Sequence, residues 1–377
     1  MGRLAVLVLV AVTLAGIAPP AQAATRERLA VGSYPRVVRL SHGPYQGRIV
    51  AAVSGWDGGG PVAPVFESTD EGRSFRRIGE IRDSGGGRGE CCGTLYELPR
   101  QVGRLRAGTL LWAASYGQDD GPERRMSLRV WASRDGGRHW SFLSEAARSH
   151  NHDGIWEPEF TVDAGGTLWM HYADETEAPR YSQVLNRVGS TDGLTWGTKQ
   201  TTLAIGPTRV RPGMPIVREL PGGRYYFAYE ICNYGKLYCN PYYKISADGA
   251  NFGDPADPGT PVQTAEGNYF QHAHTVTLFP DGRLLMVGQL YTDAGGHRLT
   301  GNGQVLLAND ALGAGAWYEL PAPVAVPDAF NDFCPNYSSV LLPVDGGRNV
   351  LEIAADYDNG VCTTYFAKGP VSPRKPS

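Results

Sequence analysis

The amino-acid sequence predicts an all-β chain folded as a six-bladed β-propeller of four-stranded antiparallel blades, and three observations carry that reading. The first is composition: of 377 residues, 49 are glycine and 27 proline, while 42% are hydrophobic and only 19% charged. Such a chain is too apolar for disorder and too dense in turn formers for a helical bundle. The second is a repeat: an apolar strand, a turn rich in Pro, Asp and Gly, and a second strand recur, and their last turn glycines, Gly47, Gly108, Gly166, Gly223, Gly282 and Gly347, fall about 60 residues apart. The third is a short motif behind the hairpins, Ser-x-Asp-x-Gly ahead of an aromatic residue, in phase with the same period. Six units of that length fill residues 24–377 as one propeller domain.

Taken in order, the chain opens with Met1-Gly2-Arg3, an apolar run from Leu4 to Ala18 and a small-x-small site at Ala21-Gln22-Ala23. Residues 1–23 read as a secretory signal peptide, so the protein is expected to be exported and soluble, with Ala24 its mature start. The hairpins follow over residues 37–54, 95–115, 158–174, 215–230, 275–290 and 339–355. The turn motif stands at Ser68-Thr69-Asp70-Glu71-Gly72 before Phe75, Ser133-Arg134-Asp135-Gly136-Gly137 before Trp140, Ser190-Thr191-Asp192-Gly193 before Trp196, and Ser246-Ala247-Asp248-Gly249 before Phe252. A worn copy is expected at Asn309-Asp310 before Trp317. The residue types suit a tight turn: a carboxylate accepts from turn amides, glycine takes a left-handed backbone, and the aromatic ring packs between sheets. The motif resembles the Asp-box, or BNR repeat, of sialidase-like propellers, and it marks the fold rather than a catalytic centre. The sixth unit lacks it, and Thr363-Thr364-Tyr365-Phe366 are expected to pair with an N-terminal strand and close the ring.

Export permits disulfides, and the six cysteines are expected to form three local bridges, Cys91–Cys92, Cys232–Cys239 and Cys334–Cys362. Their spacing does not fit paired zinc-ligand clusters. His150-Asn151-His152-Asp153 has an H-x-H spacing but no matching third ligand, so no metal and no cofactor is expected. A formal charge of −3 from 35 basic and 38 acidic residues, without a Lys/Arg block, gives no reason to expect nucleic acid or an anionic membrane as partner. A neutral ligand and a monomeric protein are expected.

If each blade begins at one face and returns through its hairpin, the hairpin turns share one face. The starts of first strands and ends of second strands then share the other, where the site should lie. That face collects Trp156, Glu157 and Glu159, then Arg211, then His272 and His274, then Asn336 and Tyr337, together with Asp174, Tyr229, Glu230 and Tyr291 from second-strand ends. Aromatic faces stack on sugar C–H surfaces while carboxylates and amides bind hydroxyls, so a carbohydrate is the natural ligand. Glycoside hydrolysis needs one carboxylic acid to protonate the leaving oxygen and one carboxylate to attack or to activate water. Blade 3 offers Glu157-Pro158-Glu159, which an uninterrupted strand would point the same way. Counted back from the turn glycines, Glu157 lies nearer the level of Arg211, His272 and Tyr337, so it is preferred, with Glu159 the alternative. Blade 4 offers Glu230, beside Arg211, whose guanidinium would keep it ionised, whereas Trp156 and Pro158 would raise the pKa of a blade 3 glutamate. Glu230 is therefore expected to be the nucleophile and blade 3 to supply the acid/base.

At Trp156-Glu157-Pro158-Glu159-Phe160, Arg211-Pro212-Gly213-Met214-Pro215, Tyr229-Glu230, Tyr242-Tyr243-Lys244 and Asn336-Tyr337-Ser338 the sequence resembles family 93 of the glycoside hydrolases, the exo-α-1,5-L-arabinanases. The likeness runs from about Gly43 to the C terminus. It implies a six-bladed propeller that releases arabinobiose from linear plant cell-wall arabinan or arabino-oligosaccharides with retention of configuration, using two glutamates that fall on the Glu157/Glu159 segment and Glu230. Two other functions share parts of this pattern. An exo-α-sialidase needs an arginine cluster and a tyrosine nucleophile, for which Tyr337 is the candidate. A non-catalytic sugar-binding propeller needs the aromatic residues and uses the glutamates as hydroxyl acceptors.

Overall fold

The computed structural model describes residues 25–371; the signal-peptide reading of residues 1–23 lies outside them. Six four-stranded antiparallel sheets are arranged as blades. Blades 1 to 3 begin with the strands Ser33–Arg39, Glu90–Glu97 and Ile155–Val162, and blades 4 to 6 with Arg211–Glu219, Thr275–Leu278 and Val340–Val344. These first strands pack against one another around the ring, blade 6 returning to blade 1. The ring closes as expected: the outermost strand of blade 6 is Glu27–Val31, paired antiparallel with Val361–Pro370 so that Val31 faces Thr363 and Glu27 faces Phe366. Closure pairs the N-terminal strand into the last blade, so the two ends of the described chain are held in one sheet.

The turn chemistry explains why the hairpins recur where they do. All six repeat glycines take left-handed φ, between 74° at Gly223 and 90° at Gly166 and Gly282, a conformation that costs a side-chain-bearing residue strain. The Ser-x-Asp turns are built alike. In the first, Asp70 Oδ1 accepts from the amides of Arg73 and Ser74 at 3.1 and 3.0 Å, while Ser68 Oγ accepts from Gly72 N at 2.9 Å. Asp135, Asp192 and Asp248 repeat the pattern, and at the worn fifth position Asn309 Oδ1 accepts from Ala311 N and Gly313 N at 2.8 Å.

The core is divided rather than central. One apolar cluster fills each gap between neighbouring blades, and the aromatic residue of each turn motif enters one of them: Phe75 between blades 6 and 1, Trp140 between 1 and 2, Trp196 between 2 and 3, Phe252 between 3 and 4, Trp317 between 4 and 5. Burial of this kind is the main stabilising term. A polar clamp supports the same joints: Glu67, wholly buried, pairs with Arg48 at 2.8 Å, Arg76 at 2.6 Å and Arg138 of the next blade at 2.8 Å.

Between blades 5 and 6, Glu352 accepts the Val324 amide at 2.8 Å, and burial pushes its carboxyl up to about 8. Because the folded state holds this proton more tightly than the unfolded chain, the contribution to stability is complete below the ordinary carboxylate range and is lost as pH rises through about 8. The thermal midpoint should therefore fall between about pH 4.5 and 8 and level off above, and Glu352→Gln, which keeps an acceptor for Val324, should fall less. Parallel midpoint curves for the two proteins would contradict this.

Candidate active site

The face opposite the hairpin turns holds a cavity of about 790 Å³ lined by residues from all six blades. A feature repeated around the ring shapes it. At the mouth end of every blade at least one non-glycine residue takes left-handed φ, among them Tyr34 54°, Cys92 63°, Glu157 59°, Met214 53°, His272 70° and Asn336 57°. In blades 1 to 4 the register of first and second strand slips there, between Ser33 and Arg36, Cys91 and Thr94, Trp156 and Glu159, and Gly213 and Ile216. In blade 5 the first strand is interrupted, a short ribbon of Tyr269–Gln271 and Leu290–Thr292 standing above Thr275–Leu278. Such bulges re-aim side chains and cluster at functional sites. Here they bring Tyr34, Cys92, Met214, Ala273 and Tyr337 into one apolar cluster, of which Tyr34, Cys92 and Tyr337 line the cavity.

The bulge in blade 3 separates the two glutamates that a regular strand would align. Glu157 lines the cavity. Glu159 lies outside it, buried in the layer below, where it accepts from Thr94 Oγ1 at 2.9 Å and pairs with Arg218 of blade 4. Glu230 also lines the cavity, at the end of Tyr225–Cys232, opposite Gly213 in register. Gly213 stands between the two carboxylates. A Cβ on it would lie 3.4 Å from Glu157 Oε2, 3.7 Å from Glu230 Oε1 and 2.9 Å from Gln183 Nε2. Both carboxylates thus come within van der Waals reach of one point beside Gly213, which the glycine leaves open. Gly213→Ala should fold, since Gln183 Nε2 is the group it crowds, but its methyl would occupy the space between the carboxylates and lower turnover on the order of 10²-fold. An alanine variant with wild-type kinetics would refute the convergence.

The environments of the pair differ in sign. For Glu157, burial is the largest influence, reinforced by the charge of Glu230, and together they push its carboxyl up to about 7 despite the Met214 amide, which donates to Oε2 at 2.6 Å. For Glu230, burial pulls upward too, but the charge of His272 and a hydrogen bond from it outweigh that, so the carboxyl is held below its ordinary value. His272 Nδ1 lies 2.8 Å from Glu230 Oε1, and Ala273 N donates to Oε2 at 2.8 Å. The imidazole is in turn shifted up, since Glu230 more than offsets its burial. One buried group is thus poised to hold a proton near neutrality and its neighbour to be without one.

The structure corrects the expectation that Arg211 would face Glu230. Arg211 lines the cavity, but its guanidinium pairs with Glu175 and donates to Ser182 Oγ at 2.8 Å and Gln183 Oε1 at 2.7 Å. Glu175 also accepts from Trp156 Nε1 at 3.0 Å, so blades 3 and 4 present a braced polar wall. His272 does for Glu230 what Arg211 was expected to do.

Tyr337 and Trp156 line the cavity as well. Five other sequence candidates lie outside it, each for a local reason. Strand alternation turns Asp174 and Tyr229 away from their neighbours Glu175 and Glu230: Asp174 accepts from Thr176, Asn186 and Lys199, and Tyr229 donates to Pro258 O at 2.8 Å. The paired left-handed residues His272 and Ala273 leave His274 wholly buried below. Asn336 donates to Gly288 O at 2.9 Å and accepts from Ser339 Oγ at 2.7 Å, so its amide ties blade 6 to blade 5. Tyr291 is packed on Phe270 with its hydroxyl on Glu319.

Glu175, which the second-strand ends also offer, lines the cavity, and among lining residues the candidate set omitted, Tyr34 and Gln183 come from a first-strand start and the loop before Val184–Ser190, while the two disulfides Cys91–Cys92 and Cys232–Cys239 form part of the wall. All three expected pairings are present, the third being Cys334–Cys362. Ligand-type atoms of Glu230, Cys232, Cys239 and His272 lie within 4.8 Å of one another. The two sulfurs are bonded to each other, which leaves two donors where a zinc centre takes four.

No protein-family model matches the chain, and no curated protein matches it by sequence. Solved structures do match. The α-L-arabinanase of Penicillium chrysogenum, complexed with arabinobiose, is 24% identical with a TM-score of 0.75 over 91% of this chain and 97% of its own. Their folds are the same. The family 93 α-L-arabinofuranosidase of Fusarium graminearum, solved with arabinobiose, is 22% identical with a TM-score of 0.75 over 92% and 97%, and its complex with an iminosugar inhibitor is 21% identical at the same TM-score.

Proposed function

We propose that the protein is a secreted retaining glycoside hydrolase that releases arabinobiose from the ends of α-1,5-linked L-arabinan. The observation that carries this reading is the pair Glu157 and Glu230, converging across Gly213 with proton affinities driven apart. Glu157, protonated, donates to the glycosidic oxygen as that bond breaks, while a Glu230 oxygen bonds to the anomeric carbon from the other side. Water then attacks the glycosyl ester, giving its proton to Glu157 and releasing Glu230 as carboxylate. The Met214 amide holds Oε2 of Glu157 as an acceptor, which leaves Oε1 to carry the proton. His272 and the Ala273 amide orient the nucleophile. An oxygen of each carboxylate lies within 3.7 Å of one point, a reach compatible with the short carboxyl spacing of retaining enzymes, about 5 to 5.5 Å.

The substrate follows from shape and from likeness. The polar wall of Arg211, Glu175 and Gln183 suits the hydroxyls of a terminal sugar, and the two fungal enzymes that share the fold were solved with arabinobiose. A sialidase would need several arginines around a carboxylate, whereas among the described residues Arg211 is the arginine that lines the cavity. It would also need an activated tyrosine, yet burial, reinforced by Glu157 and Glu230, raises the Tyr337 phenol well above its ordinary range. Incubation with debranched arabinan and with a sialoside separates the readings. Arabinobiose is the expected product; free sialic acid, or binding with no product, would overturn the proposal.

A further inference from the structure

The cavity has two chemically different ends. Its polar wall lies on blades 3 and 4, and in a ring of six these stand across from blades 6 and 1. On that far side stand four exposed aromatic side chains, Phe333 at 78%, Trp56 at 56%, Phe330 at 46% and Tyr357 at 40%, where among the described residues blades 3 and 4 bring one to the cavity, Tyr238 at 45%. Phe333 and Trp56 line the cavity, and Phe333 packs edge-on against Tyr337 at 5.7 Å, which packs edge-on against His272 at 5.3 Å. Farther out, Phe330 stacks on Tyr357 at 6.3 Å with planes 18° apart. The segment that carries the two phenylalanines is fastened down. Cys334 is bridged to Cys362, Tyr357 donates to Asp332 Oδ1 at 2.7 Å, and Gln289 Nε2 donates to Pro335 O at 3.1 Å.

We infer that this aromatic rim is a second sugar-binding surface, which receives the polysaccharide chain on the far side of the bond being cleaved. The inference rests on the glycoside-hydrolase reading and adds the direction in which the substrate lies. A terminal sugar presents the most free hydroxyls and matches the polar wall; the linked residues behind it present ring and methylene C–H surfaces, which match aromatic faces. Exposed rings carried on a segment that a disulfide and hydrogen bonds already hold lose little backbone freedom when a sugar stacks on them.

The test compares a polymer with a short substrate. For Phe333→Ala, and separately for Phe330→Ala combined with Tyr357→Ala, kcat/KM on linear arabinan should fall about tenfold, equivalent to about 1.4 kcal/mol. On a p-nitrophenyl α-1,5-arabinobioside, which carries the released unit and no chain behind it, it should change by less than about twofold. Equal losses on both substrates, or no loss on either, would overturn the inference, and thermal midpoints near wild type exclude a folding defect. A wild-type protein that cleaves neither substrate removes the arabinan reading but leaves the rim testable in native gels cast with linear arabinan, galactan or xylan. Retardation that Phe333→Ala loses supports the surface. Retardation that the variant keeps, or none for wild type in any gel, overturns it.

Discussion

Glu230→Gln is expected to lower turnover on linear arabinan by roughly 10⁴- to 10⁶-fold, the scale of removing a catalytic nucleophile. Its thermal midpoint should stay close to wild type. The amide has almost the shape of the carboxylate and keeps an acceptor for the Ala273 amide, which now bonds Oε2 at 2.8 Å. What it loses is the charge that His272 stabilises and the electron pair that attacks the anomeric carbon. If Glu230 only bound a hydroxyl, glutamine would serve nearly as well and the rate would fall by less than about tenfold. Circular dichroism and initial rates on one preparation distinguish the two.

The second large effect concerns pH. Glu157 must be protonated to act as acid, and its carboxyl stands at about 7, so kcat/KM should decline as pH rises through that value. Glu230 must be ionised, and because His272 holds it below the ordinary carboxylate range, the acidic limb should fall below about pH 4.5. The profile between is a broad plateau on the acidic side of neutrality. Glu157→Gln should erase the alkaline limb and cost roughly 10²- to 10⁴-fold on arabinan. It should cost much less on a glycoside whose leaving group departs without protonation, such as a dinitrophenyl arabinoside. A variant that keeps the alkaline limb would assign it to another group, with His272 the nearest candidate.

The architecture was legible in the sequence because its determinants are local. Left-handed glycines and Ser-x-Asp turns write their constraints into a few adjacent residues, and their period counts the blades. The disulfide pairing was legible for the same reason: two of the three bridges span fewer than ten residues, with separations of 1 and 7. The site was legible to the level of the strand end but not of the side chain. A bulge at the mouth of a blade has no sequence mark of its own; at Glu157-Pro158-Glu159 it inverts the parity that would make the glutamates equivalent, sending Glu159 to Thr94 and Arg218. Alternation likewise selects Glu175 over Asp174 and Glu230 over Tyr229, a choice fixed by register with the neighbouring strand. The partner of Glu230 was misread because Arg211 is its register neighbour's close companion, whereas His272 reaches it from the next blade, 42 residues along the chain.

The pair's division of labour is tested most directly by trapping. Wild-type protein is incubated with a 2-deoxy-2-fluoro-α-L-arabinofuranosyl donor bearing a dinitrophenolate leaving group, digested, and its peptides read by mass spectrometry. The account predicts one added glycosyl unit on the peptide that contains Glu230. Label on Tyr337 or Glu157, or turnover of arabinan with no trapped peptide and an inverted product anomer, would contradict it.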